Sequence, residues 1–191
     1  MILKSLVNTL CCLVFALPVI AGEIISSSVE HEDERYIVEV DMRIDADPGK
    51  VYELITSYEN LQQLNDNIEK SELLYSLDDN NHRVRVISDA CVMFFCKTIT
   101  QVQDIQEVSN EVIVATVIPE KSSFDYAHAR WHIRKEGEAT RITFNSDLKP
   151  SFWVPPVIGP PMIKSKLEDE VLGTIETLEE LANNNDTETI Q

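Results

Sequence analysis

Glycine is scarce in this chain, with five in 191 residues. That leaves no Gly-rich loop of the kind whose backbone amides cradle phosphates, and no nucleophile elbow or zinc motif is present either. Basic residues are few, 16 Lys and Arg against 33 Asp and Glu, for a formal net charge of −17. A chain this acidic repels nucleic acid and has no global attraction to anionic lipid. After residue 21 no apolar run is long enough to cross a bilayer. No internal repeat or low-complexity tract is visible, and nothing calls for a cofactor or a metal. Cysteine is sparse too: Cys11 and Cys12 lie near the N-terminus, Cys91 and Cys96 in the body of the chain.

The first 21 residues read as a secretory signal peptide. Lys4 supplies a positive start, Leu6 to Ala16 a short apolar stretch, and Pro18 breaks it before a cleavage site near Ala21. Neither Cys11 nor Cys12 follows the small residue of a lipoprotein site; the alternative is an uncleaved N-terminal anchor. Removing the segment takes one lysine and no acid, so the net charge moves from −17 to −18. An exported, periplasmic protein meets an oxidising compartment, which favours a Cys91–Cys96 disulfide. Two free thiols, or half of a metal site lacking its other ligands, are the other readings.

Residues 22–34 read as an acidic, solvated segment, residues 35–182 as one domain, and residues 183–191 as a polar, disordered tail. From Arg35 to Ile44, Tyr36, Val38, Val40, Met42 and Ile44 alternate with polar residues, the pattern of a half-buried strand. Asp47 then caps a helix with Pro48 at its first position, and Tyr58 to Leu64 suggests a second short helical stretch. Strand patterns follow over 68–77, 82–88, 97–108, 111–118, 124–135 and 140–148, separated by turn clusters. Beyond a stiff, proline-rich loop from Ser151 to Pro161 the period changes. Ile163, Leu167, Val171, Ile175, Leu178 and Ala182 recur every three or four residues, which predicts one long helix. Adjacent strands joined by short turns imply an antiparallel sheet with one face buried against the helices.

This order resembles the START-like, or SRPBCC, superfamily, which includes polyketide cyclases, the birch pollen allergen and coenzyme Q-binding proteins. The matching residues are the opening strand with Asp47, Pro48, Gly49, Lys50, Val51 and Tyr52; Ser57, Tyr58 and Glu59; Trp131; Phe152 to Pro156; and the final amphipathic helix. The cyclase-like, coenzyme Q-binding branch is the most similar. The resemblance implies an α+β helix-grip fold: a curved antiparallel sheet of about six to seven strands wrapped around the C-terminal helix, two short helices after the first strand, and a hydrophobic cavity between sheet and helix. It implies a binder or carrier for a hydrophobic small molecule such as a lipid, a quinone or a polyprenyl compound. A cyclase- or dehydratase-like enzyme on a polyketide-type substrate, and a ligand-free interaction protein with a filled core, are the alternatives. The fold alone does not choose among them.

The expected cavity lining is Val40, Met42, Trp131, Ile142, Phe144, Ile163, Leu167 and Val171, which would equally build a solid core. Two apolar loops stand out. In the first, Val92 to Phe95 between the two cysteines, Phe94 and Phe95 belong either to the core or to the cavity mouth. In the second, Phe152 and Trp153 either close the core or form a gate. Lys97, Lys149, Lys164 and Lys166 flank these loops, which adds transient membrane-surface contact as an expectation for Phe94, Phe95, Phe152 and Trp153. No catalytic residue is assigned. His128 and His132 share a strand face, but a spacing of four residues separates them by roughly 13 Å, too far to chelate one ion.

Overall fold

The computed structural model describes residues 22–184. Within them the chain runs β1 (Glu23–Glu32), β2 (Arg35–Ile44), α1 (Pro48–Ile55), β3 (Ile68–Asp78), β4 (Asn81–Val92), β5 (Phe95–Ser109), β6 (Val112–Val117), β7 (Phe124–Glu136), β8 (Ala139–Pro150) and α2 (Pro160–Asn184). Short 3-10 helices cover Leu61–Gln63 and Pro119–Lys121. All the strands join one antiparallel sheet in the order β1-β2-β8-β7-β6-β5-β4-β3. Sheet and C-terminal helix form the expected helix-grip arrangement.

The sheet has one strand more than the six to seven expected, and that strand is β1. Its sequence has little apolar periodicity, because Ser26, Ser27 and Ser28 occupy its middle. It is held instead by its ladder to β2 and by α2: the Ser27 hydroxyl donates to Glu168, and Val29 packs on the core. The chain enters β1 hard against α2, since a Cβ on Gly22 would fall 2.4 Å from Ile175 Cγ2. With β1 in front, α1 follows the second strand rather than the first, and the second helical stretch shrinks to the turn at Leu61–Gln63. At the other end α2 continues through Asn183 and Asn184. The signal-peptide reading, with Cys11 and Cys12, and the remainder of the tail lie outside the described residues.

Local chemistry explains the ends of α1. The Asp47 carboxylate accepts from the Gly49 N–H at 2.9 Å and the Lys50 N–H at 3.4 Å, and Pro48 occupies the first turn, where an N–H is not missed. The helix seats Val51 in the main core with Val40, Met42, Ile44, Ile133 and Ile142 from the inner face of the sheet. α2 splits into two halves. Ile175, Leu178 and Ala182 are fully buried in that core, whereas Ile163, Leu167 and Val171 are only half-buried. A smaller second core of Ile99, Val117, Phe124 and Ala127 sits at the far end of the strands, covered by Leu148 and Phe152.

The outer face is polar and cross-linked. Arg141 forks onto Asp41 at 2.6 and 2.8 Å, Arg83 onto Asp104 at 2.6 and 2.7 Å, and Arg35 pairs with Asp147. His128 and His132 are half-exposed on this face, and His128 Nδ1 lies 3.2 Å from the Thr116 hydroxyl. Among the described residues no group of side chains is arranged to hold a metal ion, and no helix is long and apolar enough to cross a membrane.

Candidate ligand-binding site

An apolar pocket of about 260 Å³ lies between the helical stretch, the sheet and α2. Ile55, Tyr58, Leu61 and Leu64 form one wall; Gln103, Ile105, Ile113 and Trp131 form the floor on β5, β6 and β7; Ile68, Asn65 and Thr174 complete the rim. The floor follows from strand parity: Ile113 stands opposite Trp131, and Ile105 opposite Ala115. Trp131 leans on Phe144 with ring centroids 5.0 Å apart. At the rim the Asn65 amide donates to the Thr174 hydroxyl at 3.0 Å, tying the loop to α2 across the opening. Three larger grooves flank it: two, about 350 and 430 Å³, carry charged side chains such as Asp66, Lys166 and Asp169, or Asp47, Glu111 and Lys135, and a third, about 290 Å³, is lined by Tyr58, Leu73, His82 and Glu107. They are more open to solvent than the pocket beside Trp131.

Of the eight residues expected to line a cavity, Trp131 does so and Phe144 supports it from behind. Val40, Met42 and Ile142 are buried in the packed core, and Leu167 and Val171 pack on its edge. Ile163 is half-buried near the start of α2. The remaining lining comes from α1, the Leu61–Gln63 turn and β5 and β6.

Two features of the inner face were not singled out from the sequence. Gln103 shares the face of Ile105 and puts a carboxamide on an otherwise apolar floor. Nearer the pocket's edge, Glu107 accepts from the Tyr52 hydroxyl, from the Tyr58 hydroxyl at 2.8 Å, and lies 3.2 Å from His82 Nε2. His82 Nδ1 in turn lies 2.8 Å from the Ser76 hydroxyl. Burial first, then the bond to Glu107, pushes both phenols well above the ordinary value of 10. Parity was the available signal. Glu107 and Gln103 stand two residues either side of Ile105, and His82 two before Val84, so polar groups occupy inward positions.

The four loop residues gather at the other end of the sheet. The strands β4 and β5 continue to Val92 and Phe95, leaving Met93 and Phe94 as the turn, and Cys91 and Cys96 form a disulfide across its base. Phe94 and Trp153 are exposed; Phe95 and Phe152 are half-buried against each other. None of the four lines the pocket beside Trp131.

The family model for polyketide cyclase / dehydrase and lipid transport proteins matches residues 35–182. The chain belongs to that family. No curated protein matches the sequence. Solved structures share the fold at low identity. A START superfamily protein from Mycobacterium smegmatis is 16% identical with a TM-score of 0.59, over 78% of this chain and 97% of its own. The Zhui aromatase/cyclase from Streptomyces sp. R1128 is 16% identical with a TM-score of 0.59, over 78% and 94%. A STAR-related lipid transfer protein from Xanthomonas axonopodis is 13% identical with a TM-score of 0.60, over 82% and 98%. Family and fold thus fit a START-like domain that binds a hydrophobic ligand or acts as a cyclase.

Proposed function

We propose that the protein carries a hydrophobic small molecule (a lipid, a quinone or a polyprenyl compound) in the pocket beside Trp131, and does so outside the cytoplasm. The observation that carries this reading is the pocket lining: Tyr58 is the titratable side chain in it, and its hydroxyl is committed to Glu107. A cyclase moves protons at the substrate and needs an acid or base facing it; Glu107 and His82 are absent from this pocket's lining and face the separate groove beside Leu73. The Cys91–Cys96 disulfide supports an oxidising compartment.

Burial supplies the affinity. At about 30 Å³ per water-sized group, 260 Å³ holds about nine. Nine methylenes are worth roughly 7 kcal/mol before the cost of association is subtracted. Gln103 adds a donor and an acceptor for one ligand oxygen. In Trp153→Phe, Trp131 is the sole remaining tryptophan, so its fluorescence reports the pocket. Titration with members of the three ligand classes should give saturable quenching with at least one, abolished by the pocket-filling change Ile113→Phe. A flat response to all three would refute the carrier reading. Gln103→Leu should lower affinity for an oxygen-bearing ligand about tenfold and spare a plain hydrocarbon.

A further inference from the structure

The β4–β5 hairpin and the loop from β8 to α2 are far apart in sequence, yet they form one protrusion. The Phe95 and Phe152 rings stack with centroids 6.4 Å apart, and Lys97 Nζ lies 5.3 Å from the centre of the Phe152 ring. Behind them Phe152 packs on the second core. In front, Met93, Phe94, Trp153 and Val157 are 66%, 73%, 71% and 61% exposed. The inner layer is therefore anchored and the outer layer stands in water. A two-residue hairpin turn ordinarily takes Asn-Gly, polar and tolerant of positive φ. Here it is Met93-Phe94, with Met93 at φ 56° and the Cys91–Cys96 disulfide across the base.

The two loops themselves are free of acids, although the β1–β2 turn at the same end carries Glu32, Asp33 and Glu34, and Glu34 lines the groove beside Trp153. From Ala90 to Gln103 the chain holds Lys97 and no acid, and from Leu148 to Leu167 it holds Lys149, Lys164 and Lys166 and no acid, in a protein of net charge −17. Lys149 meets Glu34 at 2.8 Å, and Lys164 and Lys166 meet Glu168 and Glu170 one turn along α2. These pairs are open to solvent, where ion pairs are weak and can be exchanged for lipid phosphates.

We infer that this end of the molecule docks on an anionic phospholipid bilayer, with Met93, Phe94, Trp153 and Val157 entering the headgroup–acyl boundary and the lysines facing lipid phosphates. Aromatic and long apolar side chains rimmed with lysine suit that boundary. The exposed apolar tip is built of four side chains, whereas a stable protein interface needs about 800 Å² per partner. The inference deepens the carrier reading, because an apolar cargo must be taken from or delivered to a lipid phase, but its geometry stands independently.

The test is co-sedimentation of the exported protein, residues 22–191 without the signal peptide, with mixed phosphatidylcholine–phosphatidylglycerol vesicles, together with Trp153 fluorescence in Trp131→Phe. Binding with a blue shift is expected, weaker on pure phosphatidylcholine and weaker in high salt. The double change Phe94→Ser with Trp153→Ser, at exposed positions where folding is spared, should lower binding about tenfold. Leu77→Ser, equally exposed on β3 at the opposite end of the sheet, should not. Ile113→Phe should keep vesicle binding while losing the cargo, so failure of docking and failure of the carrier reading are told apart. Wild-type protein that stays in the supernatant, or a double variant that sediments as well as wild type, would overturn the inference. So would a dimer abolished by the double change in the absence of vesicle binding, which would assign the protrusion to a second copy.

Discussion

Glu107 receives two phenols and faces a histidine in a largely buried corner, and each partner leaves it with one fewer unmet lone pair. Removing one donor exposes the cost. Tyr58→Phe should destabilise the protein by about 1–3 kcal/mol, measured by chemical denaturation, because a buried carboxylate oxygen loses its bond. The pH dependence follows from the same site. Both phenols titrate above 10 in the folded protein, so their contribution is fully present below pH 10 and fades as pH rises through the folded values. An alkaline unfolding transition that becomes shallower in Tyr52→Phe with Tyr58→Phe is expected; an unchanged transition would remove the tyrosines from the account. On the outer face the sign reverses. Arg141 holds the Asp41 carboxylate below its ordinary value of 3.8, so that pair stabilises above pH 4 and is lost as pH falls below it. This corner was only partly legible in the sequence. Tyr52 and Tyr58 lay in the segments that resemble the superfamily, and parity placed His82 and Glu107 on the inner face. Their meeting depends on how α1 and the segment after it lie over the inner face of the sheet, which no local pattern encodes.

At the level of elements, α2 carries a residue it does not need. A Cβ on Gly173 would meet nothing within 4 Å, so the glycine serves no close approach to the sheet. Gly173→Ala should raise stability by up to about 1 kcal/mol, read as a higher melting temperature, from helix propensity alone. Gly22 is the opposite case, where Ala should destabilise by clashing with Ile175. The hairpin is the other element with a device of its own. Replacing Cys91 and Cys96 by Ser removes a short-loop constraint worth on the order of 2 kcal/mol, and should show first as faster hydrogen exchange at the ends of β4 and β5. The long helix and seven strands could be read from the sequence because apolar periods of about 3.6 and 2 are strong where one face is buried. β1 could not, since Ser27 and Glu168 hold it by a polar contact across the molecule.

For the whole molecule, the resemblance to the START-like superfamily anticipated the arrangement of sheet and helix, and the family match bears it out. It did not locate the pocket. Periodicity identifies inward residues, but whether an inward residue packs against another side chain or borders a void depends on the path of the segment between α1 and β3. That path leaves Val40, Met42 and Ile142 in solid core and opens the space beside Trp131. Two regions then take different tasks in this account, cargo between the sheet, the segment from α1 to β3 and α2, and lipid surface at the disulfide hairpin.

Native mass spectrometry of the protein purified from its own source, with extraction and identification of whatever co-purifies, tests the carrier reading most directly. The expected result is a complex of one apolar molecule per chain in wild type, absent from Ile113→Phe and Leu61→Phe when both retain wild-type circular dichroism. A ligand-free wild-type protein that also binds no added lipid, quinone or polyprenyl compound would contradict it.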